Sequence, residues 1–196
     1  TNLFGAVFRI RSQAAFAIHK FFNERGFVYV HTPIITGSDC EGAGAMFRVT
    51  TLAPGETDLS KDFFGKRAAL TVSGQLDVET YAMAFSNVYP FGPPFRAENS
   101  NTARHAAEFW MIEPEMAFCD LAGDMDVAEA MVKSVAEYVH ETCAFEVDFL
   151  AERVCPELKD RFAALKGGEF VRLSYTRAIE ILKKAISEGH KFEYPV

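Results

Sequence analysis

Residues 95–118 read Phe-Arg-Ala-Glu-Asn-Ser-Asn-Thr-Ala-Arg-His-Ala-Ala-Glu-Phe-Trp-Met-Ile-Glu-Pro-Glu-Met-Ala-Phe and hold most of the side chains able to do chemistry. Two extended runs flank a polar loop. Strand periodicity puts Arg96 and Glu98 on one face of the first run. On the second, Phe109, Met111, Glu113 and Glu115 share a face, and Trp110, Ile112, Pro114 and Met116 share the other. Burying such charges without partners is costly. Two arrangements therefore remain open. One is a solvated sheet face with weak cross-strand Arg–Glu pairs. The other is a ligand floor, where Arg96 meets a phosphate, a carboxylate meets an ammonium, and Phe109 stacks on a flat base.

Other chemical signatures are missing. No GxxxxGK[ST], HExxH or GxSxG occurs, and Gly42-Ala43-Gly44 fails GxGxxG because Phe47 occupies the last glycine position. The five histidines show no metal-like spacing, and the four cysteines form no CxxC pair. A disulfide scaffold does not suit so apolar a chain, so the cysteines are expected reduced and mostly buried, which points to the cytoplasm.

The elements that must position the 95–118 segment follow from apolar spacing and breakers. Val7, Ile10, Ala14, Ile18, Phe21 and Phe22 predict an amphipathic helix over 3–25, stopped by Gly26. A short strand follows at 27–30, ended by Pro33. A Gly-rich loop covers 36–45, an extended piece 46–52 and a polar connector 53–62. A strand is expected at 68–73 and a helix at 75–86. Residues 88–98 and 108–118 form an antiparallel pair around the loop 99–107. Helices are expected at 124–143, 157–165 and 176–188, with a strand at 170–173. The antiparallel pair favours a single α+β domain over a doubly wound parallel sheet.

Composition sets the outer limits. The chain has 196 residues, 49% of them hydrophobic, and its 19 phenylalanines need a core, which excludes disorder. No apolar run is long enough to span a membrane. A net charge of −7 argues against a dedicated nucleic-acid module, so any RNA contact must come from a local patch.

The 95–118 segment resembles motif 2 of the class II aminoacyl-tRNA synthetases, in the aspartyl/asparaginyl/lysyl subgroup, where Phe-Arg-Ala-Glu-Asn-Ser and Arg-His-x-x-Glu-Phe belong to the pattern. Residues 3–33, ending Gly-Phe-Val-Tyr-Val-His-Thr-Pro, resemble motif 1, a helix and strand at a dimer interface. Residues 36–47 resemble the mobile loop that closes over the amino acid, and Thr71-Val72-Ser73-Gly74-Gln75-Leu76 the substrate-binding turn. The resemblance implies an antiparallel sheet flanked by helices, a homodimer, and activation of an amino acid with ATP and Mg²⁺ before transfer to tRNA. It also implies roles. Arg96 contacts the α-phosphate of ATP and the reacting carboxylate. Glu98 lies near the adenine amino group and the substrate, and Phe109 stacks on adenine. Arg104 and His105 approach the β/γ-phosphates and the tRNA acceptor end. Gln75 and Glu113 hold the amino acid, Glu113 through its ammonium, and Glu41 joins them when the loop closes.

In the aspartyl members the turn continues Gln-Leu-x-Lys, and the lysine pairs with the substrate carboxylate. Here Val78 stands at that position. An apolar residue cannot neutralise a carboxylate, so a neutral amide fits better and asparagine is the expected amino acid, with tRNA(Asn) as acceptor. Gly-Ala-Gly followed by Met46-Phe47 also resembles the bacterial asparaginyl members. Aspartate, an asparagine-forming paralogue and a non-catalytic dimerisation or ligand-binding piece are the alternatives. The family's N-terminal anticodon-binding barrel and its motif 3, with the neighbouring Mg²⁺ carboxylates, have no match here. The expectation is therefore a partial catalytic domain, incomplete at its C-terminal end and inactive alone.

Overall fold

A computed structural model describes residues 1–40, 42 and 44–194. Helix α1, Asn2–Glu24, starts at Thr1, whose hydroxyl accepts from the Phe4 N–H at 3.4 Å. It stops where Gly26 takes φ +76°, with Gly26 N–H donating to Asn23 and Phe27 N–H to Phe22. That is the left-handed cap a glycine makes without strain. Strand β1, Val28–Tyr29, follows at once, then β2, Ile35–Thr36, and β3, Arg48–Val49. Next come β4, Ala68–Leu70, helix α2, Gln75–Phe85, and strands β5, Asn87–Tyr89, and β6, Phe91–Gly92. The returning strand is split into β7, Met111–Ile112, and β8, Glu115–Met116.

The expected hairpin is present in one continuous register. Val88 faces Glu115, Phe91 faces Ile112, Gly92 faces Met111 and Phe95 faces Glu108. Pro90 and Pro94 break the strand into pieces, because they accept from Glu113 and Phe109 but have no N–H to return. One pairing is parallel: β1 lies beside β5, with Val28 opposite Val88. Strands β2, β4 and β3 form a separate small antiparallel sheet. Its link to the hairpin is the Thr71 peptide, whose N–H donates to Ile34 and whose carbonyl accepts from Phe95.

One face of the hairpin is sealed. Phe21, Phe22, Phe27 and Tyr89 form its buried core, with Phe91, Ile112 and Met116 packed against them. Phe22 and Tyr89 stack at 4.6 Å. Helix α3, Leu121–Thr142, lays Val127, Ala130 and Met131 on the same cluster. Its first turn is capped by the Asp120 carboxylate, which accepts from Gly123 N–H at 2.9 Å. The opposite face is covered at one end, where Val78 and Ala82 of α2 close over Val30 and Val88.

Three sequence expectations change. Helix α4, Ala144–Arg153, was not anticipated; it begins directly after α3, with only Cys143 between them and no glycine or proline to mark the break. Its Val147 joins Val139 and Cys143 in a second cluster that α5, Leu158–Gly167, completes with Leu158 and Phe162. Residues 170–173 are not a strand. No sheet edge reaches them, and side chains tie them to α3: Lys133 sits over the Phe170 ring, and Arg172 pairs with Asp126 and Glu129. Of the free cysteines, Cys40 and Cys143 are buried, Cys155 is half-buried and Cys119 is exposed. Helix α6, Tyr175–Ser187, ends the ordered elements. No helix among the described residues is long and apolar enough to cross a membrane.

Candidate functional site

The uncovered face of the hairpin carries the expected residues at two stations. At one end, Arg96, Glu98, Arg104, His105 and Phe109 line a cleft of about 550 Å³. Arg96 and Phe109 are diagonal neighbours on the ladder, because Arg96 N–H donates to Ala107 and Phe109 N–H to Pro94. The Arg96 guanidinium carbon lies 5.4 Å from the centre of the Phe109 ring. Arg96 Nε is buried and has no hydrogen-bond partner among the described residues. A buried donor without an acceptor is expensive, and a guanidinium edge left in that state suits an anionic ligand. Arg104 and His105 are exposed on the loop, where the Thr102 hydroxyl pairs with His105 Nδ1.

At the other end, Glu113 and Gln75 lie at the start of α2, joined through the Ser73 hydroxyl. The Glu113 carboxylate accepts from the Ser73 hydroxyl and, at 3.4 Å, from Gly74 N–H. It thus lies against the first turn of that helix. Gln75 donates its amide N–H groups to Glu79, at 3.1 Å, and to Glu115. Glycine is needed at 74, since a Cβ there would lie 2.5 Å from the Thr32 hydroxyl. Beside Glu113 is a cavity of about 20 Å³, room for roughly one water, so a larger ligand at this station would have to lie on the open face.

Between the stations the floor carries Met111 on one strand and no side chain on the other. Gly92 faces Met111, and a Cβ at Gly92 would meet nothing within 4 Å. Phe109 and Glu113 are four residues apart on the strand, roughly 13 Å at about 3.3 Å per residue. A ligand with a flat base at one end and an ammonium at the other spans that gap.

The Gly-rich loop reaches this floor. Ala97 N–H donates to the Ala45 carbonyl at 2.7 Å, and Ala45 N–H donates to Glu98 Oε1 at 2.9 Å. Gly44 passes so close that a Cβ would lie 2.5 Å from Glu98 Oε1 and 3.4 Å from Arg96 Cγ and Cδ. The Glu98 carboxyl is held below its usual range by its own backbone N–H, then by that of Ala45, with Arg96 and His105 adding positive charge. Glu41 lies outside the described residues.

Three features were not legible as site chemistry. Ser73 orients Glu113, a role nothing in its spacing signals. Asp62 anchors the polar connector: it accepts from Thr51 N–H and Phe63 N–H, both at 2.8 Å, and from the Thr50 and Thr51 hydroxyls. These bonds, that of the Thr51 amide first, lower its carboxyl to about 2. Val78 departs from its expected place. It is fully buried among Val30, Ala82 and Val88, on the side of α2 that packs on the sheet, and does not line the floor.

Among the described residues, no group of three or more His, Cys, Asp or Glu side chains could hold a metal ion. The Arg96 end, with its orphaned Nε and stacking ring, does fit a nucleotide phosphate and base.

Comparison with known proteins gives the family. The model of class II tRNA synthetases (D, K and N) matches residues 2–196. Asparagine--tRNA ligase of Clostridium novyi is 60% identical over 204 aligned residues, covering all of this chain and 43% of the relative. The Desulfitobacterium hafniense protein of the same name is 61% identical with the same coverage. The chain therefore spans less than half the length of these curated relatives. The crystal structure of asparaginyl-tRNA synthetase from Pyrococcus horikoshii complexed with asparaginyl-adenylate superposes with a TM-score of 0.78 at 28% identity, over 99% of this chain and 40% of that one. The floor, the loop docked on it and the match along nearly the whole sequence place the chain in the class II tRNA synthetase family of the D, K and N type.

Proposed function

We propose that this chain supplies the ATP and amino-acid floor of an asparagine-activating enzyme that transfers asparagine to tRNA(Asn). The observation that carries the reading is the two-station face: Arg96 with its buried, unpartnered Nε beside Phe109, and Gln75 with Glu113 at the far end. Relatives at about 60% identity bear the name asparagine--tRNA ligase. The Pyrococcus enzyme of similar fold was captured with asparaginyl-adenylate.

In this reading, the asparagine carboxylate attacks the α-phosphorus of ATP. A P–O bond forms to the carboxylate oxygen, the bond to the bridging oxygen breaks, and pyrophosphate leaves. The carboxylate is already ionised at neutral pH, so no general base is needed. The chain's contribution is position and charge. Phe109 holds the base, Arg96 neutralises the α-phosphate and aligns the carboxylate, Arg104 and His105 meet the outer phosphates and the tRNA end, and Glu113 with Gln75 fixes the amino acid. Glu98 and Glu41 join through the closing loop. Mg²⁺ would add phosphate neutralisation, but the described residues offer it no ligand cluster.

The enzyme acts as a homodimer in this reading. Phe4, Phe8 and Phe16 of α1 and Tyr29 of β1 are all exposed, apolar surface that an isologous contact would cover. The test is ATP–pyrophosphate exchange by the full-length protein. Exchange should depend on asparagine and be far weaker with aspartate. No asparagine-dependent exchange, or equal rates with both, would overturn the assignment. Light scattering of the same sample should give twice the chain mass.

A further inference from the structure

We propose that Glu79 and Glu115 are positioning residues that lock the Gln75 amide in one of its two orientations, so that this side chain presents only a hydrogen-bond acceptor to the bound amino acid. The proposal rests on the functional reading above and deepens it. A side-chain amide has two faces of similar shape, a carbonyl that accepts and an NH₂ that donates. Left free, Gln75 could turn either one to a ligand. Here one amide end is caught between two carboxylates, Glu79 Oε1 from the next turn of α2 and Glu115 Oε1 from β8. Ionised carboxylates only accept, so the captured end must be the NH₂, and its two N–H groups are both used. Reversing the amide would set its carbonyl against two anions. The carbonyl is therefore left as the free end.

The polarity matters because asparagine carries groups of both kinds. Its ammonium and its side-chain NH₂ donate, while its carboxylate and side-chain carbonyl accept. A fixed acceptor at Gln75 rewards the first kind and repels the second. Glu115 is half-buried and lies two residues from Glu113 on the same strand face, so the lock sits beside the station it serves. Gln75 is also the first residue of α2, with its N–H donating to Ser73 Oγ at 3.1 Å, so backbone and side chain are both fixed.

The experiment uses the full-length protein and asparagine-dependent pyrophosphate exchange. Glu79→Gln together with Glu115→Gln keeps the shape but removes both obligate acceptors, and the Gln75 amide becomes free to turn. The KM for asparagine should rise about tenfold, the worth of a typical charge-assisted hydrogen bond, with the KM for ATP unchanged. Adding Gln75→Glu to that pair separates the lock from direct contact. It restores amide–carboxylate bonds with reversed polarity to both neighbours, and a carboxylate oxygen again faces the ligand. This triple variant should recover most of the asparagine KM lost by the pair. An unchanged KM in the Glu79→Gln, Glu115→Gln pair overturns the lock, as does failure of the triple variant to recover. A parallel rise in the KM for ATP would mark a general structural role and also overturns it. If the wild-type protein shows no asparagine-dependent exchange, the functional reading fails first and takes the lock with it.

Discussion

Replacing Val78 by lysine tests where specificity resides. In the aspartyl pattern a lysine at this position serves the substrate. In this fold the Val78 side chain is fully buried against Val30, Ala82 and Val88 and has no opening to the floor. A lysine there must bury its ammonium or give up its proton. Buried lysines can titrate near 6, about four units below the ordinary value of about 10.4. Each unit between the working pH and 10.4 then costs about 1.4 kcal/mol, so Val78→Lys should lose about 4–5 kcal/mol at pH 7. The folded-state value is depressed, so the loss shrinks as pH rises, to about 2 kcal/mol at pH 9. Urea denaturation of the wild type and variant at both pH values reads this directly. Val78→Ala, which removes methyl groups without charge, should cost about 2 kcal/mol at either pH. The ratio of asparagine to aspartate exchange should not move in Val78→Ala. The reasoning is refuted if Val78→Lys unfolds at the wild-type midpoint and gains aspartate-dependent exchange, because the side chain would then face the ligand.

Arg96→Ala should weaken ATP binding by about 1.5–3 kcal/mol in calorimetric titration, and Phe109→Ala by about 1–3 kcal/mol through lost stacking. Gly44→Ala should undock the loop, since its Cβ would strike Glu98 Oε1; faster protease cleavage within residues 37–47, with an unchanged melting temperature, is the expected result. Asp62 holds its carboxyl near 2, below the ordinary carboxylate value, so its contribution to stability is full above about pH 4 and disappears as pH falls through about 2. Asp62→Asn should therefore destabilise the connector at pH 7 and cease to differ from wild type near pH 2, read by circular dichroism.

Much of the site could be read in the sequence because it lies on one hairpin. Period-two alternation sorts Arg96, Phe109, Glu113 and Glu115 onto the open face and Trp110, Ile112 and Met116 onto the other, and local spacing alone settles that. The resemblance to motif 2 then supplied the chemistry. What could not be read is contact across elements. The side of α2 that carries Val78 is decided by a parallel neighbour, β1, more than forty residues earlier in the chain. The Asp62 network and the approach of Gly44 to Glu98 are likewise tertiary facts, with no periodicity to announce them. Helix α4 escaped for a different reason, because Cys143 serves as the end of one helix and the start of the next without any breaker residue.

The prolines of the first hairpin strand also govern how the molecule meets other chains. Along this strand, even-numbered residues bond toward the returning strand and odd-numbered ones away from it, as Val30 N–H to Tyr89 and Phe95 N–H to Thr71 show. Strand β1 ends at Tyr29, so beyond that point the outward side has no neighbouring strand until Thr71. Pro93 falls in that gap, where it has no N–H to offer. His31, Thr32 and Ile34 cross that gap without adding a strand, leaving room for about one water. A strand edge bonded to no neighbour invites an extended segment from another polypeptide, and here a proline in the outward position together with the crossing chain denies it a partner. Pro93 thus guards the outer edge of the strand, while Pro90 and Pro94 interrupt the ladder on its inner side.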